Sequence, residues 1–168
     1  MTNNNSTTLP SYLKQEVPGL FCLFLAVIIG LALVSFDPAD PSLFKHTTGT
    51  KSFPIHNYIG IIGAYLAALL IEMLGLASFW IVLVLGLLSA LCFRGRWTDH
   101  PRLLVAGLIL LLLSSAMFLG LAIPRLTSFW PRTAAGGLLG DVLGHVSTSA
   151  LGLVGAWLVL VALSLLSI

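Results

Sequence analysis

The sequence predicts an all-α integral membrane protein with four transmembrane helices in two repeated halves. Each half carries an additional short interfacial or re-entrant helix. Three observations predict this. The chain is 58% hydrophobic and only 8% charged, with mean hydropathy +1.04, whereas a soluble domain carries about a quarter charged residues. Its uncharged runs are long enough to cross a hydrocarbon core of about 30 Å. One apolar unit is also written twice, 77 residues apart (Gly60 to Gly137).

The duplication is carried by residues that a Leu-rich chain does not match by accident. Pro54 pairs with Pro131, Gly60 with Gly137, Gly63 with Gly140 and Trp80 with Trp157. The triplet Leu74-Gly75-Leu76 returns as Leu151-Gly152-Leu153. A fixed internal period of this kind marks a repeated structural unit. The unit is too long for one helix: Tyr58 to Phe93 is 36 residues with a single charge, Glu72. As one straight helix it would run roughly 54 Å, well beyond the bilayer core. It must break, and the repeated glycines Gly75 and Gly152 are the expected places.

In chain order, residues 1–17 are polar and rich in Asn, Ser and Thr, which predicts a flexible tail. The membrane domain then covers residues 18–168. Its first span, about 18–36, opens on Pro18, a residue tolerated at a helix start. No small-residue cleavage site follows it, so a retained anchor is expected rather than a cleaved signal. Ser35-Phe36-Asp37-Pro38-Ala39-Asp40-Pro41-Ser42 stops that helix with two prolines and offers Asp side chains for turn hydrogen bonds.

An interfacial helix over about 58–73 and a span over about 75–93 form the first copy. Arg94, Arg96 and Arg102 then crowd a short loop with Trp97 at interface level. The third span, about 103–123, holds Ser114, Ser115 and Ala116 as a small-residue patch suited to close helix packing. The second copy follows as an interfacial helix over about 134–149 and a span over about 151–168. In that helix Leu138, Leu139, Val142, Leu143 and Val146 share one face, and Asp141 and His145 sit on another, an amphipathic pattern. Gly136, Gly140 and Gly144 add a small-residue stripe at period four, a surface for a second helix.

Four spans put both termini on one side. Lys14, Arg94, Arg96 and Arg102 stand against Lys45, Lys51, Arg125 and Arg132, four against four. The arginines of the first group crowd one short loop beside two spans, while the opposing charges are spread over two longer loops. The positive-inside rule therefore points to cytoplasmic termini. The chain stops at Ile168, at the end of the fourth span and without a polar flank, which predicts a longer parent polypeptide.

The residues offer little chemistry. No phosphate-binding Gly-x-x-x-x-Gly-Lys-Ser/Thr, His-Glu-x-x-His or Gly-x-Ser-x-Gly occurs, so no cofactor is expected. Cys22 and Cys92 lie inside apolar runs, where a thiol behaves as a small hydrophobe, and no disulfide or metal site is expected. His46, His56, His100 and His145 fall in loops or on the amphipathic helix, where solvation accounts for them. The net charge of +2 gives no footprint for nucleic acid. Glu72 is the one acidic residue within an apolar run. Its nearness to Gly75 lets it reach the interface, which is the favoured reading; contact with an ion or a partner is the alternative for an intramembrane carboxylate.

On these residues the chain resembles the N-terminal four-span membrane domain of the FtsK/SpoIIIE DNA translocases, over roughly residues 18–168. The resemblance rests on Ser35 to Ser42 after the first span, on Pro54-Ile55-His56-Asn57, and on the run from Asn57 to Ala67 with its Gly60 and Gly63. It rests also on the Gly75-Leu76-Ala77 turn and the Gly136-Gly137-Leu138-Leu139-Gly140 entry to the last unit. The resemblance implies a multi-pass protein of the bacterial inner membrane at the division septum. It further implies homo-oligomerisation, contacts with other division proteins, and a role in cell division and chromosome partition. Family members continue through a linker into an ATP-driven motor that pumps DNA. No nucleotide-binding motif lies in these 168 residues, so any catalysis would belong elsewhere.

The expected function is thus membrane anchoring and assembly without enzymatic activity. Gly60, Gly63, Gly136, Gly140 and Gly144 are the candidate helix-packing residues, and Glu72 the candidate polar contact. The bilayer, further copies of the chain and septal proteins are the expected partners. A small two-repeat transporter or channel is the alternative, supported by the repeats and broken units and disfavoured by the scarcity of polar residues in the spans.

Overall fold

All regular structure in the described residues is helical, as long apolar runs require where backbone groups have no water to bond. The computed structural model describes residues 13–42, 55–95, 101–123 and 135–167. The expected flexible tail before residue 13, His46, His100, Trp97 and the Pro54–Pro131 match lie outside them.

Helix α1 runs Leu13–Val34 and carries Pro18 inside it, so it begins earlier than the proline suggests. The ring deletes only the bond to the carbonyl of residue 14, near the polar end of the helix, where water can serve that carbonyl. Helix α2, Gly60–Leu74, ends at Gly75 (φ 62°, ψ −138°) and passes through a single 3₁₀ turn, Gly75–Ser78, into α3, Phe79–Phe93. Helix α4 spans Pro101–Ala122. Helix α5 spans Gly137–Leu166 but is interrupted at Gly152 (φ 71°, ψ 176°), a backbone region open essentially to glycine alone. The segments Glu16–Val34, Gly60–Phe93, Leu103–Ala122 and Gly137–Leu166 are each long and apolar enough to cross a membrane.

The duplication is legible in the backbone. Gly60 and Gly137, at the starts of α2 and α5, have φ of 71° and 62°, and Gly75 and Gly152, at the breaks, 62° and 71°. Trp80 and Trp157 are 38% and 37% exposed. Two units result: α1 packs on α2 and α3, and α4 packs on α5.

The core is built mostly from small residues. Ala32 and Leu33 of α1 meet Ala67 and Ile71 of α2. Leu74 and Ala77 meet Ala116 of α4 where the units join. Met117 of α4 packs with Ala156 and Leu160 of α5. Large apolar side chains, Phe21 and Val154 among them, point outward. That arrangement suits lipid, where oily side chains gain nothing by burial and close backbone packing supplies the association energy.

Candidate functional site

Two constructions stand out from the apolar background: a polar clamp at the exit of α1 and a glycine seam between the units.

The clamp begins with Pro38 and Pro41, which end α1 and fold the chain into a turn, with Asp40 N–H donating to the Asp37 carbonyl at 3.0 Å. Asp37 Oδ1 accepts the Ala39 N–H at 2.8 Å, the local bond expected of an Asp in a turn. Asp40 does something else. Its carboxylate is buried (3% exposed) and grips the chain 16 and 17 residues on. Oδ1 accepts the His56 N–H at 2.9 Å and Oδ2 the Asn57 N–H at 3.0 Å. His56 Nδ1 also lies 3.3 Å from Asp40 and 3.6 Å from Asp37 Oδ2.

Asn57 completes the lock from the other side. Its Nδ2 donates to the Ala32 carbonyl at 2.9 Å and the Ser35 carbonyl at 3.5 Å, serving acceptors at the C-terminal end of α1. Its Oδ1 accepts the Ile59 N–H at 3.0 Å, and its own carbonyl accepts the Gly60 N–H at 2.9 Å, which launches α2. Ser35 Oγ donates to Leu31 O at 2.6 Å and accepts the Tyr58 N–H at 3.0 Å. Hydrogen bonds to a charged group contribute roughly 1.5–3 kcal/mol each, so Asp40 is a main part of what fixes where α2 starts relative to α1, together with Asn57 and Ser35.

The seam brings Gly75 of the first unit onto Gly137 of the second. A Cβ on Gly75 would collide with the Ala135 carbonyl and come within 2.6 Å of Gly137 N; a Cβ on Gly137 would lie 2.5 Å from Gly75 N. Only bare backbone allows that approach. It lets Leu76 N–H, released by the helix break, donate to the Ala135 carbonyl at 2.9 Å. Such a partner is required in apolar surroundings.

Among the candidate packing residues, Gly136 and Gly140 lie against the Ala116 backbone of α4, and Gly144 faces Leu121 at 3.4 Å. The glycine stripe is therefore filled by α4 of the same chain, and self-association would have to use other faces. Gly63 fits beneath the Asn57 side chain and Ile59, so it belongs to the clamp. Gly60 has open space around it, and its φ of 71° is the constraint there. The apolar residues opposite the stripe, Leu138, Val142 and Val146, are exposed, as are Asp141 and His145. Glu72 is half-buried in the last turn of α2. Trp157 packs edge-on to Phe118 of α4, with ring centroids 6.1 Å apart, so it joins the helices as well as facing outward. Among the described residues no three His, Cys or carboxylate side chains are grouped to hold a metal ion.

The family model described as the 4TM region of DNA translocase FtsK/SpoIIIE matches residues 11–168. The chain belongs to this family. Relatives similar to it are the DNA translocase FtsK of Vibrio vulnificus, 34% identical over 83% of this chain, and that of Pseudomonas aeruginosa, 32% identical over 94%. The FtsK of Rickettsia prowazekii is 32% identical over 79%. The chain spans 14%, 20% and 16% of the lengths of these three relatives. No solved structure matches it.

In this FtsK/SpoIIIE membrane region two of the stretches that carry the resemblance, Ser35 to Ser42 and Ile55 to Asn57, are the two halves of the clamp. Sequence reasoning assigned the Asp residues to local turns and missed the long-range pairing. Asp40 was the available signal, a second carboxylate beyond what one turn needs, facing the otherwise unexplained His56-Asn57 pair.

Proposed function

We propose that this chain anchors a DNA translocase in the bacterial inner membrane at the division septum and helps its copies assemble. The match to the 4TM region over residues 11–168 carries this reading. The architecture supports it: a tightly knit, small-residue core and an outer surface of large apolar side chains suit a module that holds position. The motor activity named in the relatives would be delivered by other residues of a full-length protein, with septal proteins and further copies as this segment's partners.

Helix lengths support one placement in the bilayer, and the arginine-rich 94–102 loop supports its orientation. The 3₁₀ turn and α3 together measure roughly 30 Å, one hydrocarbon thickness, and leave α2 as surplus. We place α2 and the part of α5 before Gly152 along the interface or dipping into it, with both termini cytoplasmic.

A fluorescent fusion of this chain tests the reading. It should concentrate at division sites, and reporters at the two ends should both read cytoplasmic. Uniform membrane labelling would remove the septal role, and reporters on opposite faces would remove the topology.

A further inference from the structure

The seam uses one half of each unit and leaves the equivalent halves open. From the first unit it takes the break, Leu74 to Ser78; from the second it takes the start, Ala135 to Gly137. In the repeat register the unused counterparts are the second break, Leu151 to Gly155, and the first start, Tyr58 to Gly60. The exposures separate cleanly. Ala77 is 1% exposed and its counterpart Val154 76%; Ala135 is 1% exposed and its counterpart Tyr58 75%. Gly75 and Gly137 are wedged against backbone, whereas Gly152 and Gly60 have nothing within 4 Å of an added Cβ. Yet all four hold the same kind of positive-φ backbone.

Two like units joined by a contact that is not self-complementary form a head-to-tail interface. Such an interface repeats until it closes a ring or runs on as a filament. We propose that the break at Gly152 of one copy docks on the Tyr58–Gly60 start of the next, repeating between chains the contact that Gly75 and Gly137 make within one. Leu153 N–H takes the part of Leu76 N–H, and the Tyr58 carbonyl that of Ala135. The outer face of α1, with Phe24, Val27 and Leu31 exposed, takes the place that α4 holds at the internal seam. The occupant is thus a second copy of this chain, because the matching surface is its own. This deepens the assembly role proposed above and rests on it.

The test uses cysteines in membranes, in a Cys22→Ser, Cys92→Ala background. Tyr58→Cys and Leu153→Cys both alter exposed side chains, so folding is preserved. Co-expressed as two single variants and treated with an oxidant or a short thiol-reactive linker, they should give a dimer band that neither variant gives alone. Combined in one chain they should give a ladder of higher species. Leu76→Cys with Ala135→Cys, the same geometry within one chain, should close as a monomer and calibrates the reagents. Subunit counting by photobleaching of the extracted protein separates the ways to fail. Oligomers without the mixed cross-link overturn this interface and leave the assembly role standing, as does Tyr58→Cys coupling to itself. A monomeric count overturns both.

Discussion

In the first unit the break at Gly75 lies beneath the second unit, and its freed N–H finds a carbonyl there. In the second unit the break at Gly152 lies at the surface with open space around it. The starts differ the other way. Residues 55–60 are tied to α1 by Asp40, Asn57 and Ser35; in the second copy the register of Asn57 falls on Ala134, which can make no such side-chain bonds. One sequence unit has therefore been fixed in two ways: side-chain hydrogen bonds hold the first start, and backbone packing against a neighbouring unit holds the second. The shared glycines give the two units like backbones, and the residues that differ between the copies decide what each start touches.

This contrast can be broken. The largest effect is expected from Gly75→Ala, which combines a backbone conformation closed to alanine with a collision against the Ala135 carbonyl. It should cost about 2–6 kcal/mol in SDS-titrated unfolding, adding strain of about 1–3 to overpacking of similar size. Gly152→Ala meets only the strain and should cost about 1–3 kcal/mol. Equal losses at the two sites would remove the distinction between buried and open breaks.

Next in size is the clamp. Asp40→Ala leaves the His56 and Asn57 N–H groups without their carboxylate and should cost about 2–4 kcal/mol by the same unfolding measurement. Asp141→Ala, an exposed carboxylate in the second unit, should fall within about 0.5 kcal/mol of the parent. A neutral Asp40→Ala would show that the start of α2 does not depend on it.

The smallest effect sharpens the comparison along one helix. Gly140→Ala pushes against the Ala116 backbone and should cost about 1–3 kcal/mol. Gly144→Ala, one turn on, meets only the Leu121 side chain, at 3.4 Å from Cδ2 and 3.5 Å from Cγ. There the gain in helix propensity, up to about 1 kcal/mol, should leave stability level or raised. A loss at Gly144 matching that at Gly140 would mean that the stripe is packed evenly.

Much of the architecture was readable from residues alone. The four spans, the repeat and the breaks at Gly75 and Gly152 followed from length, glycine placement and the bilayer's thickness. The side to which each helix turns was not. In water, Leu138, Val142 and Val146 would mark the buried face; here they look outward and the glycines are buried, because lipid is as apolar as the core. Nor was the filler of the glycine stripe readable, since α4 and a second chain offer alike surfaces to a pattern of small residues. The clamp escaped because Asp40 and Asn57 are joined across 17 residues, beyond any local spacing rule.

The bond from Leu76 N–H to the Ala135 carbonyl also makes the bend of the first half depend on the second half for a backbone partner. Without residue 135 beside it, that amide would lack this acceptor, which is costly in apolar surroundings.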